Sequence, residues 1–131
     1  MPTSLPRVLV VDKDAHVCRL LDTILPAAGY QAQFALDGYL ALDGARLDPP
    51  AIVVTEILVP RLDGLALCRL LKGDESTRST KVLVLSVLDA ESRALAAGAD
   101  RFMRKPIERT ILVEALRMLA ASSAPWKEGA E

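Results

Sequence analysis

Four places in this 131-residue chain put polar groups at or directly after the end of a run that reads as a strand. Asp12, Lys13 and Asp14 close the run Arg7–Asp12. Glu56 closes Ala51–Glu56, and Ser86 closes Lys81–Ser86. Lys105 and Pro106 follow Asp100–Arg104. One polar residue after a strand is an ordinary loop boundary, and four independent boundaries would carry no chemistry. If the strands are parallel neighbours, however, their carboxyl ends share one crevice, which is where open α/β sheets place ligands. Carboxylates, a hydroxyl and an ammonium would then meet in a single pocket.

The elements that must position these groups are legible in the hydropathy pattern. Arg7–Asp12, Ala51–Glu56 and Lys81–Ser86 are short, β-branched and apolar without alternation, as expected of parallel strands covered on both faces. Gln31–Leu36 and Asp100–Arg104 mix polar and apolar residues and read as edge strands. Between them lie helical stripes. The first carries Val17, Leu20, Leu21, Ile24 and Leu25, with Asp14 as N-cap and an end or kink at Pro26. The second spans Asp37 to Leu47, weakened by Gly44. The third runs from an N-cap at Asp63 to Gly73. The fourth spans Asp89 to Ala97. The fifth follows Pro106 and carries Ile107, Ile111, Ala115, Leu116 and Leu119. Five strand–helix alternations imply a doubly wound α/β sandwich with right-handed crossovers.

Composition narrows the function classes. Hydrophobic residues make up 51% and charged residues 25%, enough for one packed domain. Sixteen basic against seventeen acidic residues leave a net charge of -1, with no basic field for nucleic acid. Apolar stretches such as Val82–Leu85 are too short to span a bilayer, and the N-terminus does not read as a signal peptide. Cys18 and Cys68 make no disulfide framework. They read as buried free thiols in a reducing cytosol, which makes the expected location cytoplasmic. A nucleotide-binding enzyme of similar fold would need a G-x-G-x-x-G or P-loop after the first strand, and none is present.

Together, Val8-Leu9-Val10-Val11-Asp12, Pro60-Arg61-Leu62-Asp63-Gly64, Ala97-Gly98-Ala99-Asp100-Arg101-Phe102 and Lys105-Pro106 resemble the receiver domain of two-component response regulators. The resemblance covers about residues 6 to 121. It implies a CheY-like, flavodoxin-like (βα)5 fold with strand order 2-1-3-4-5. It also implies a phosphoryl group accepted from a histidine kinase onto an aspartate ending strand three. An acidic pair after strand one would help hold Mg²⁺, and a strand-four hydroxyl and a strand-five lysine would contact the phosphoryl group. Asp12, Ser86 and Lys105 match that pattern. Lys13 replaces the second acid and Glu56 replaces the phosphoacceptor aspartate. Thr55, one residue earlier, points to the other side of its strand. Phe102 matches the family's aromatic switch, and the Lys105–Pro106 peptide is expected to be cis.

The two departures change the electrostatics. A regular receiver pocket carries three carboxylates and one lysine, an excess that a divalent cation neutralises. Asp12, Lys13, Glu56 and Lys105 sum to zero, so this pocket is expected to contain its own counter-charges. Lys13 and a metal about 4 Å apart would repel by several kcal/mol at a surface-like dielectric. Mg²⁺ affinity is therefore expected to be weak or absent, with no metal site and no other cofactor. Glu56, one methylene longer than aspartate, is expected to pair with Lys105 and approach Ser86. One reading is a pseudo-receiver: a phosphorylation-independent, non-enzymatic module signalling by protein–protein contact. In the bland alternative the Glu56–Lys105 pair is purely structural. A further alternative is a working phosphoacceptor that uses Glu56 or Asp12 with Mg²⁺. Asp14 is assigned to capping and His16 to an exposed helix position.

Expected partners are proteins, a histidine kinase or a downstream effector, with no nucleic acid and no membrane. The segment from Ser86 to Ala97 is shorter than the family pattern by about three residues, or ~4.5 Å of helix. A monomer or weak dimer is accordingly expected. Arg93, Arg101 and Arg104 would make the face basic and suited to an acidic partner, or would simply be solvated. The receiver-like domain is placed at 1–122. Residues 123–131, including Trp126, read as a flexible tail or linker stub, too short for a DNA-binding output domain.

Overall fold

A computed structural model describes residues 5–122. The tail expected at 123–131, with Trp126, lies outside them. Five strands alternate with five helices: β1 Arg7–Val11, α1 Ala15–Ala27, β2 Gln31–Ala35, α2 Gly38–Leu47, β3 Ile52–Thr55, α3 Gly64–Gly73, β4 Lys81–Ser86, α4 Glu91–Ala96, β5 Arg101–Arg104 and α5 Arg109–Ala121. All neighbouring strands pair in parallel, in the order β2-β1-β3-β4-β5.

The period-two alternation of strands sorts the core into two layers. Leu9, Val11, Val53, Val82 and Val84 pack with α2, α3 and α4 on one face. Val8, Val10, Ile52, Val54, Leu83 and Leu85 pack with α1 and α5 on the other. The three central strands are buried on both sides, which is why they carry apolar residues without alternation. Each such Val or Leu contributes roughly 1.5–3 kcal/mol by leaving water.

Helix starts follow their caps. The carboxylates of Asp14, Asp37, Asp63 and Glu108 accept from His16, Leu40, Ala66 and Ile111 N–H respectively. The cap at Glu108 starts α5 later than Pro106 alone suggested, so Ile107 precedes the helix. Pro26 sits in the last turn of α1, one residue before its end. At the fourth helix the structure departs from the expected Asp89 start. The helix is six residues long, begins after Ala90 and has no side-chain cap.

Candidate functional site

Sheet register brings the chemistry-bearing residues together. Val11 pairs with Thr55, Thr55 with Val84, and Ser86 with Arg104. The next residues extend these ladders: Glu56 N–H donates to Val11 O (3.0 Å) and Lys105 N–H to Ser86 O (2.8 Å). Asp12, Glu56, Ser86 and Lys105 thus stand at one edge of the sheet. Asp12, Glu56 and Ser86 are buried, with Glu56 only 5% exposed.

Glu56 is the hub. Its Oε2 accepts from Ile57 N–H (2.6 Å), Leu58 N–H (3.2 Å) and the Ser86 hydroxyl. Its Oε1 accepts from Val87 N–H (3.1 Å) and pairs with Lys105 Nζ (3.0 Å). Five donors therefore converge on one carboxylate, three of them backbone amides. Lys105 also pairs with Asp12 Oδ2 (2.8 Å), while Asp12 Oδ1 accepts from Asp14 N–H (2.9 Å). Lys105 bridges the two carboxylates. Ser86 Oγ in turn accepts from Leu88 N–H (3.2 Å). Thr55 donates its hydroxyl to Glu56 O (2.9 Å) and makes no bond to the carboxylate cluster.

Burial alone would raise the Glu56 pKa. Hydrogen bonds from Ser86, Lys105 and Leu58, with the Lys105 charge, outweigh it and hold the carboxyl below its ordinary value. For Lys105, burial pulls downward, but Asp12 and Glu56 push the ammonium above its ordinary value. Both shifts favour the ionised pair.

Lys13 is a correction. The sequence placed its charge inside the pocket; in the fold its side chain is exposed and lines a neighbouring groove with Leu58, Arg69 and Arg93. The two buried carboxylates of Asp12 and Glu56 are therefore met by one lysine, Lys105, and the remaining formal charge of -1 faces an array of N–H dipoles rather than a second lysine. Cys18 is a second correction: it is half-buried, with its thiol 3.5 Å from Asp12 O, whereas Cys68 is fully buried and pushed up to about 11. His16 is exposed and accepts from the Arg19 guanidinium (2.9 Å).

Sequence reasoning missed the backbone donors of Ile57, Leu58, Val87 and Leu88. Their direction follows from loop paths that side-chain types do not encode. The β3–α3 loop has one readable signal, Gly64: a Cβ there would lie 2.2 Å from Glu56 O. Arg61 adopts φ 71° in the same loop, held by a 3.1 Å ion pair with Asp37 and by the Tyr39 ring at 5.3 Å.

Phe102 is half-buried and packs on the core layer beneath α2–α4. The Lys105–Pro106 peptide is cis. The three arginines do not form one free face. Arg104 donates to Val87 O (3.2 Å) and lies 3.9 Å from Asp89, Arg101 is half-buried, and Arg93 turns towards the groove.

Five parallel strands in the order β2-β1-β3-β4-β5, with an acid–lysine–hydroxyl cluster at their carboxyl edge, make this a flavodoxin-like α/β fold. The response regulator receiver domain family matches residues 8–117, and the chain belongs to that family, whose members are the signalling modules of two-component systems. It is 37% identical over 116 residues to the response regulator PleD of Caulobacter vibrioides, covering 86% of this chain and 26% of that protein. To the response regulator MprA of Mycobacterium tuberculosis it is 38% identical over 122 residues, covering 91% and 52%. The chain thus spans between a quarter and about half the length of these relatives. Among solved structures, the signal receiver domain of a signal transduction histidine kinase from Syntrophus aciditrophicus superposes with a TM-score of 0.82. It shares 28% identity, with 92% of this chain and 99% of that chain covered. Among the described residues, no helix is long and apolar enough to cross a membrane.

Proposed function

We propose that this chain is a pseudo-receiver: a cytoplasmic module that signals by protein contact without an aspartyl-phosphate cycle. The observation that carries the reading is the saturation of the Glu56 carboxylate. A phosphoryl group needs hydroxyl, ammonium and amide donors around its oxygens. Here the donors of Ser86, Lys105, Ile57, Leu58 and Val87 already hold the oxygens of Glu56. The side chain is a resident anion in the cradle that the family uses for a transferred one. Phe102 packed on the core and Ser86 bonded towards the cradle fit a domain held in one state.

The donor set also fits Mg²⁺ poorly. That ion takes carboxylate oxygens and water in near-octahedral geometry. Both Asp12 oxygens and both Glu56 oxygens are engaged by protein donors, and Lys13 stands where a second acid would stand. Weak Mg²⁺ affinity follows. The partner would be a histidine kinase or a downstream effector that reads the fixed surface, and the chain would be a monomer or weak dimer because α4 is short.

The test is incubation with Mg²⁺ and acetyl phosphate, followed by intact-mass measurement. No added phosphate is expected. One phosphate on Glu56 or Asp12 would establish the competing reading, a working phosphoacceptor.

A further inference from the structure

Beside the carboxylate cluster, the β3–α3 and β4–α4 loops and helices α3 and α4 form an open groove of about 530 Å³. Its floor is aliphatic, with Leu58, Val59, Leu65 and Leu88 among the lining residues, and Leu58 is 51% exposed. Its rim carries Lys13, Arg69 and Arg93, from the β1–α1 loop, α3 and α4. All three are exposed, and none pairs with an acid among the described residues. Among the described residues the only lining acid is Asp63, whose Oδ1 is engaged by Ala66 N–H at the start of α3. In a chain of net charge -1, the three cations set against the one Asp63 carboxylate leave this lining with a formal charge of +2 around an apolar floor, a local positive field.

We propose that this groove binds an acidic, aliphatic segment of a partner protein. The rim selects carboxylates and the floor takes Leu- or Ile-sized side chains. A nucleotide fits less well, because among the described residues no aromatic ring lines the groove to stack on a base. The groove also has a built-in clip. Its β3–α3 wall is held to Glu56 through Ile57 and Leu58 N–H. The β4–α4 wall is held to the same carboxylate through Val87 N–H and, via Ser86, through Leu88 N–H. The clip rests on the resident-anion reading given above; the rim charges do not.

The test uses the full chain and a fluorescein-labelled nonapeptide alternating glutamate and leucine, followed by anisotropy. Binding is expected to weaken at least tenfold in the double variant Arg69→Glu/Arg93→Glu and as salt rises. It is expected to stay unchanged in Arg109→Glu on α5. The rim positions are exposed, and a thermal melt confirms that the variants fold. The proposal is overturned if the wild-type chain ignores the peptide or if the double variant binds it equally. It is equally overturned if a lysine–leucine peptide binds as well, or if ATP displaces the peptide in wild type. Phosphate gained on Glu56 would sink the resident-anion reading while leaving the rim result intact, so the two failures are distinguishable.

Discussion

Replacing Lys105 by methionine isolates the interaction that organises the site. Methionine is of similar length and apolar, so the change removes charge more than volume. Lys105 Nζ lies 2.8 Å from Asp12 Oδ2 and 3.0 Å from Glu56 Oε1, with all three side chains at most 11% exposed. Each contact represents a gross attraction of about 5–6 kcal/mol at an effective dielectric of 20. Desolvation of the lysine offsets much of that. What remains after its removal is two buried carboxylates sharing a site, and breaking a buried pair from one side costs about 3–5 kcal/mol. The variant should therefore lose that much stability in urea denaturation at neutral pH. The sign of its pH dependence should also reverse. In the wild type the Glu56 pKa is depressed, so its stabilisation is present above the ordinary 4.5 and fades as pH falls through the lower folded value. In the variant, burial and the neighbouring Asp12 push the carboxyl upward, so stability should rise as pH drops towards 5. A loss below about 1 kcal/mol, or an unchanged pH profile, would refute the claim that this cluster is electrostatically coupled.

Glu56→Gln keeps the shape but turns an amide NH₂ towards the donors around it; it should flatten the acid limb of the stability curve below pH 4.5, checked by thermal melts across that range. At the alkaline end, the Lys105 pKa is raised above 10.5. Its contribution is complete below that value and lost as pH climbs through the higher folded value, so the Lys105→Met variant should lack that alkaline loss. Gly64→Ala puts a Cβ 2.2 Å from Glu56 O, a backbone atom that cannot swing away. The variant should melt several degrees lower, with a loss of about 1–3 kcal/mol from overpacking, readable by calorimetry.

Much of the fold is written in residue types. The unbroken apolar runs of β1, β3 and β4 reflect burial on both faces, and the aspartates at positions 14, 37 and 63 mark helix starts because their carboxylates satisfy free amides. The meeting of Asp12, Glu56, Ser86 and Lys105 follows from parallel neighbouring strands whose apolar runs stop at one edge, and the polar residue that ends each run is readable in the sequence. The direction of Lys13 does not. Its long side chain leaves the β1–α1 loop on a path set by that loop's geometry, and solvation of the ammonium favours the open groove over the buried cluster. The α4 boundary was illegible for a related reason: with no side-chain cap, nothing in the sequence marks where the helix begins. The backbone amides around Glu56 belong to loops, where donor direction depends on dihedral angles rather than on residue identity.

Glu56 is joined to its cradle by its own main chain. An acyl phosphate has a lifetime, and an exchangeable anion has a dissociation rate; a tethered carboxylate has neither, and its effective concentration in the cradle never falls to that of the bulk solution. Under the pseudo-receiver reading, time cannot be encoded in the chemistry of this pocket. Information would have to travel as abundance, through how many copies of the chain exist beside how many copies of what they bind.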